Sequence, residues 1–359
     1  MKIRESNFEL LRLVCMFYIL LHHFIVHGLK VAGYCGEEIN IYGVICNSFL
    51  VIAVNCFILI SGYFGIKLSW KSFTNLCITC IFYILTLTIV GFIYNDFFSL
   101  KELLYSFMPF SYSHYWFITS YFYLFLLSPL INKAIDNFTK KEFICSLIIL
   151  ALITFYFGFF RRGNINSNGY NLMNFIFLYF IARFISIHSK NILSKAYRKI
   201  YLSSYIINSL IVATVVMLIY YSPVNNFGII KWGYAYNNPF VIVSSISFFL
   251  LFGTFNFRNN FVNQLAKSSL AIYLIHENTN VRGILYKYVH EIGENVSGWL
   301  LFIILPIFAL IIMIICIGID KFRSYIITNA IEKRISNINW KNILKRLFRF
   351  AQTVNLKRK

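Results

Sequence analysis

Along this chain, apolar residues run unbroken for about twenty positions at a time, and polar residues gather in the short stretches between. Ten such runs stand out, over 8–28, 43–65, 75–95, 115–132, 143–160, 171–187, 201–221, 239–256, 268–285 and 299–319. A helix needs about 20 apolar residues to cross the hydrocarbon core of a bilayer, and these runs are of that order. Membrane β-barrels show short segments of alternating polarity instead, and none appears here. The pattern therefore predicts an all-α, polytopic membrane protein with about ten transmembrane helices. An even number of crossings puts both termini on one side.

Composition supports the same class. Of the 359 residues 59% are apolar and 13% charged, against about 45–50% and 25% in a soluble domain. The net charge of +20 would suggest nucleic acid in a soluble chain, but its distribution says otherwise. The N-terminus, the even-numbered connections and the segment beyond residue 320 hold 24 of the 33 Lys and Arg. Basic residues accumulate on the cytoplasmic side of membrane proteins, so both termini are expected there. The excess charge then matches anionic lipid and calls for no nucleic acid.

Residues 1–320 read as one membrane domain and 321–359 as a basic cytoplasmic tail. In that tail Trp340, Ile343, Leu344, Leu347, Phe348 and Ala351 recur at helical spacing, as in an amphipathic helix lying on the inner leaflet. The first apolar run contains His22 and His23 and ends without a small-residue cleavage site, so it reads as a retained span. Seven of the eight Cys fall inside apolar runs, which argues against a disulfide framework. Cys77 and Cys80 have metal-ligand spacing but no further ligands nearby, and no metal is expected.

Ionisable groups inside a membrane are costly and face the bundle interior or a water-filled cavity. The first run holds Glu9, Arg12, His22, His23 and His27. Arg12 and His23 are eleven positions apart, which at about 100° per residue is about 20° beyond three turns, with a rise of roughly 16 Å. Both therefore lie on one helix face. Arg12 there would hold an anionic group near the cytoplasmic mouth, with Glu9 pairing to orient it, while an imidazole deeper in the groove would serve as general base. Membrane histidines also act as plain hydrogen-bond donors between helices, so a structural role for His23 stands beside the catalytic one. His276 and Glu277, in the ninth run, form a second polar layer.

At these residues the chain resembles the integral-membrane acyltransferase family 3, whose members O-acylate bacterial surface glycans. Arg12, ten intervening residues and His23 match the family's first-span signature, with Glu9 where an acidic residue is usual. The stretch NCFILISGYFG (55–65) matches the end of the second span, through Phe57, Ser61, Gly62 and Tyr63. HYWFITSYFYLFLLSPLI (114–131) resembles the family's Trp-led span ending in Pro, here Trp116 and Pro129, and GYNLMNFIFLYFIARFI, YNNPFVIVSSISFFLLF and SSLAIYLIHEN follow in the expected order. Two departures bear on substrate. Tyr121 and Phe122 stand where many members have a Glu pair, and Lys67 and Lys71 stand where many have Arg-x-x-Arg.

The resemblance implies transfer of an acetyl group from cytoplasmic acetyl-CoA, with no tightly bound cofactor. The acceptor would be a hydroxyl of capsule, exopolysaccharide or O-antigen, or of its lipid-linked precursor. It implies His23 as the catalytic residue, Arg12 at the CoA phosphates with Glu9 orienting it, and a bacterial cytoplasmic membrane location. It also implies the standalone form, without an esterase-like domain. Candidate groove residues are Ser61, Trp116, Arg161, Arg162 and His276. Ser61 and Gly62 also suit close helix packing, and Arg161 and Arg162 also suit a solvated loop. Tyr112, His114, Tyr115 and Trp116, with Trp232, Tyr234 and Tyr236, suit either sugar stacking or an interfacial aromatic belt. A glycan or lipid transporter, or an assembly subunit, using Arg12, His23 and His276 as a polar pathway is the alternative.

Overall fold

The computed structural model describes residues 5–33, 39–111, 115–161, 167–223, 227–296 and 298–327. Arg162, Tyr112, His114 and the expected amphipathic helix of the tail lie outside these. All regular structure among the described residues is helical. Fifteen α-helices follow in order. They are α1 (Ser6–His23), α2 (Ile41–Leu50), α3 (Ala53–Phe64), α4 (Trp70–Asn95), α5 (Leu100–Tyr105), α6 (Trp116–Asn137), α7 (Lys140–Ala151), α8 (Leu172–His188), α9 (Arg198–Tyr221), α10 (Phe227–Gly233), α11 (Pro239–Gly253), α12 (Asn260–Ala266), α13 (Ser269–His276), α14 (Thr279–Asn295) and α15 (Leu301–Ile327).

Among the described residues, seven helical segments are long and apolar enough to cross a membrane. They are Ser6–Leu29, Ile41–Phe64, Trp70–Asn95, Trp116–Asn137, Lys140–Phe160, Lys195–Tyr221 and Leu301–Ile326. Helices α8 and α11 are apolar but shorter. The first two segments form the inside of the bundle, with 56% and 78% of their apolar windows buried, against 22–33% for the other five. The chain's polar signature thus sits on one of its two most enclosed segments.

Local sequence explains where the helices start. Ser69 and Ser72 form a capping box ahead of α4, and Thr139 and Glu142 form one ahead of α7. Asn171, Asn238 and Asn259 accept backbone N–H groups at the starts of α8, α11 and α12. Each satisfies a donor that a helix start otherwise leaves unpaired.

The ninth run departs from the expected continuous span. It breaks after only eight residues of α13, at Glu277, and Asn278 then caps α14 by accepting from Asn280 N. Asn competes for backbone groups and so favours caps over helix interiors. The break is held in place because Tyr115 Oη donates to the Leu274 carbonyl at 2.8 Å and Asn278 Nδ2 donates to Tyr115 Oη at 3.0 Å. Helix α1 changes geometry too. It continues as π-helix over Phe24–Leu29, directly after His23, and such turns recur at functional sites.

Gly62 sets the approach of α3 to α8. A Cβ there would stand 2.7 Å from the Tyr179 carbonyl oxygen and 2.9 Å from the Tyr179 Cα. Backbone cannot yield as a side chain can, so Gly62→Ala is expected to cost about 1–3 kcal/mol through overpacking. Thermal melting of the detergent-solubilised protein tests this, and an unchanged midpoint would contradict it. Ser61 donates to the Phe57 carbonyl 2.9 Å away within α3, while its helix face borders the cavity described next.

Candidate active site

The stripe expected on α1 is present. Arg12 and Met16 line a cavity of about 500 Å3 together with Phe57 and Ser61 of α3, Ser72, Asn75 and Thr79 of α4, Phe117 and Tyr121 of α6, and Lys267 and Tyr273. Met16, Ile19, His22 and His23 line a second, smaller chamber of about 30 Å3 with Val54, Phe57, Trp116, Phe117, Tyr236 and Tyr273. Met16, Phe57, Phe117 and Tyr273 belong to both. One helix face thus carries a cation at the wider cavity and an imidazole at the narrower chamber, with a thin shared wall between.

Within the wider cavity the Arg12 guanidinium is pinned by Glu9, as the three-residue spacing suggests. Nη1 donates to Oε1 at 3.2 Å and to Oε2 at 3.3 Å. Glu9 is buried whereas Arg12 remains partly exposed, so the rest of the guanidinium stays available to an anion. Lys267, whose Nζ donates to Gln264 Oε1 at 2.9 Å, adds a second cation that sequence reasoning did not single out. Its only sequence signal is its place immediately before the ninth run. Lys67 and Lys71, which replace the family's Arg-x-x-Arg, are exposed and line neither cavity.

At the other end, the broken ninth run brings His276 and Glu277 to His23. His23 Nδ1 lies 3.0 Å from Glu277 Oε1 and 3.2 Å from His276 Nε2. The tautomers follow from the partners. His276 Nδ1 must donate to the Ile272 carbonyl, 2.6 Å away, so in the neutral ring its Nε2 is an acceptor. The ionised Glu277 is acceptor-only. Both groups facing His23 Nδ1 therefore accept, which assigns the proton to Nδ1 and leaves Nε2 with its lone pair. A carboxylate that fixes the tautomer and direction of an imidazole is the arrangement that activates histidine bases in hydrolases.

Glu277 is itself held. Tyr286 Oη donates to Oε1 at 2.6 Å, and Arg282 Nη1 stands 3.7 Å from Oε2. Neither residue was foreseen, because both lie in the polar helix α14 beyond the break. His22, adjacent to His23, is committed elsewhere. It donates to Asn47 Oδ1 and ties α1 to α2. His27 stacks on Tyr286 with ring centroids 5.5 Å apart. The ligand atoms of His23, His276 and Glu277 lie within 4.8 Å of one another, a spacing that also suits a metal ion. The hydrogen bonds just described account for that spacing.

The aromatic residues read as an outer cluster or belt are mostly interior. Tyr115, Tyr234 and Tyr236 are buried. Trp232 stacks on Phe159 at 4.4 Å, and its Nε1 donates to the Phe159 carbonyl. Only Trp116 and Tyr236 reach the small chamber, where Trp116 packs against Tyr170 and Tyr236 with centroids 4.4 and 5.6 Å apart. Arg161 is exposed at the end of the segment that follows α7 and lines neither cavity. A further large cavity of about 380 Å3, walled by Leu21, Ile25, Phe49, Phe302 and Pro306 among others, contains no ionisable group except Tyr42 and Cys46.

A comparison with known families then decides the class. The acyltransferase domain of acyltransferase family 3 matches residues 5–318. The chain belongs to acyltransferase family 3. Among curated proteins and solved structures nothing matches. As a family 3 member the protein is a multi-pass membrane acyltransferase, which decides against the transporter and assembly-subunit readings. The matched region contains both cavities and every residue of the His23 cluster.

Proposed function

We propose that this family 3 member moves an acetyl group from cytoplasmic acetyl-CoA to a hydroxyl of a surface polysaccharide, or of its lipid-linked precursor, across the bacterial cytoplasmic membrane. The observation that carries the reading is the α1 stripe, which joins a cation-bearing cavity to an imidazole with a free Nε2. The CoA phosphates meet Arg12 and Lys267 through charge-assisted hydrogen bonds. The pantetheine arm passes the wall of Met16, Phe57, Phe117 and Tyr273 and delivers the thioester to His23. The acceptor hydroxyl meets the thioester carbonyl beside the same imidazole.

The chemistry then needs one proton acceptor. His23 Nε2 takes the hydroxyl proton as the sugar oxygen attacks the thioester carbonyl, Glu277 stabilises the imidazolium, and the proton returns to the departing CoA thiolate. The same lone pair also serves a two-step route in which Nε2 attacks the thioester and expels the CoA thiolate, and the sugar hydroxyl then attacks the acetyl-imidazole, displacing Nε2 and giving up its proton to the thiolate. Trapping of an acetyl-imidazole without acceptor supports the second route, and its absence the first.

The test of the function is mass spectrometry of the surface polysaccharide with and without the gene, in which the acetyl ester is expected only with it. An identical polysaccharide in both would contradict the proposal. The donor assignment has its own test. Arg12→Ala removes hydrogen bonds to a charged ligand, each contributing about 1.5–3 kcal/mol, so the KM for acetyl-CoA is expected to rise roughly 10- to 100-fold. kcat should change less. A fall in kcat at unchanged KM would place Arg12 elsewhere in the mechanism.

A further inference from the structure

The two cavities differ more than tenfold in size. The His23 chamber, at about 30 Å3, has room for roughly two to three waters, each needing about 10–15 Å3. That is the bulk of an acetyl group. The chamber is bordered by His23 but not by His276 or Glu277, so it meets the imidazole away from its Nδ1 partners. This is the side where a thioester carbonyl would be attacked.

Its walls divide into two sets. Met16, Phe57, Phe117 and Tyr273 also line the Arg12 cavity and so form the side from which the thioester comes. Beside the two histidines His22 and His23, Ile19, Val54, Trp116 and Tyr236 line the chamber alone and close its far side. The far side is firmly built. Ile19 and Val54 are buried on the two innermost helical segments, and Trp116 is wedged against Tyr170, Tyr236 and Phe175. Interiors packed to this density do not open for an added methylene without strain.

We propose that this chamber gauges the acyl group, with Ile19 and Val54 as the aliphatic stop that admits a two-carbon acyl chain and rejects longer ones. The proposal rests on the acyl-CoA reading above and adds the residues that set its specificity. An extra methylene against a fitted apolar wall changes selectivity about 10- to 200-fold. The two methylenes that separate butyryl from acetyl should therefore give on the order of 100-fold or more.

The experiment uses membranes containing the full chain, the polysaccharide acceptor, and acetyl-, propionyl- or butyryl-CoA, with transfer read by mass spectrometry. Wild type is expected to favour acetyl over butyryl by about 100-fold or more. Val54→Ala, and Val54→Ala combined with Ile19→Ala, should each raise the butyryl-to-acetyl ratio tenfold or more. Val54→Leu fills the chamber and should lower even acetyl transfer without raising the KM for acetyl-CoA. Equal use of butyryl- and acetyl-CoA by wild type, or an unchanged ratio in the widened variants, would overturn the gauge while leaving the acyl-CoA reading intact. No transfer from any of the three donors by wild type would overturn that reading, and the gauge with it. If the widened variants fail to fold, the wild-type series and Val54→Leu decide the question.

Discussion

His23→Ala is expected to abolish acyl transfer while the protein still accumulates, folded, in the membrane. The side chain borders a chamber, its hydrogen bonds run through Nδ1, and its ring otherwise meets only the rings of His22, His27 and His276 among the described residues, so its removal breaks one shared hydrogen-bond site and no helix cap. Its loss to catalysis is much larger, because neither neighbouring histidine has the Glu277 carboxylate on its Nδ1. His22 Nδ1 is engaged with Asn47, His276 Nδ1 with the Ile272 carbonyl, and the Nε2 of His276 faces His23 itself. General acid–base catalysis contributes about 10²–10⁴-fold, and a nucleophilic role adds to that. Turnover of labelled acetyl-CoA into glycan by membranes with matched amounts of protein measures the effect. Residual activity above about 10% would return His23 to the structural role that a membrane histidine can also play.

The second large effect is expected at Glu277. Glu277→Gln preserves the shape of the side chain but removes the charge that stabilises the imidazolium, and it can present an NH2 group to His23 Nδ1. The ring then loses its reason to hold the proton on Nδ1. In the serine-protease triad, the corresponding carboxylate-to-amide change lowers kcat by about 10⁴ through the wrong tautomer. Here His276 Nε2 still accepts from His23, so a loss on the order of 10³ is expected, with little change in the KM for acetyl-CoA. Steady-state kinetics on both substrates distinguishes this from misfolding, which would lower the amount of active protein without a matching effect on Tyr286→Phe. That variant removes one hydrogen bond to the carboxylate and should show a smaller loss of the same kind. A Glu277→Gln enzyme with wild-type kcat would contradict the positioning role.

Much of this arrangement could be read before the structure. Continuous apolar runs placed the main helices, because burying backbone polar groups in lipid leaves helices as the available form. The Arg12–His23 stripe followed from helical geometry alone, and the structure adds Met16 and Ile19 between them on the same face. The break in the ninth run was not legible, because hydropathy averages over the short polar stretch at Glu277–Asn278 where a cap outcompetes the helix. His276 and Glu277 had stood out as a second polar layer, but that miss hid where they meet His23. His276 meets His23 across 253 positions of sequence, and neither periodicity nor composition carries information about such a contact. The aromatic residues failed for a related reason. Tyr and Trp are enriched both at membrane interfaces and in interiors where their polar tip finds a partner, and Tyr115 and Trp232 took the second option.

On the proposed function, acyl groups pass from the cavity at Arg12 to His23 and on to an acceptor on the far side of the membrane. Inside-out membrane vesicles supplied with labelled acetyl-CoA test it most directly, since they expose the cytoplasmic face to the medium. Label should appear in polysaccharide sealed inside the vesicles with wild type, and fall to background with His23→Ala. Right-side-out vesicles given the same external acetyl-CoA should show none. Equal labelling by the His23→Ala protein, or labelling only when acetyl-CoA is supplied to the outer face, would contradict the account.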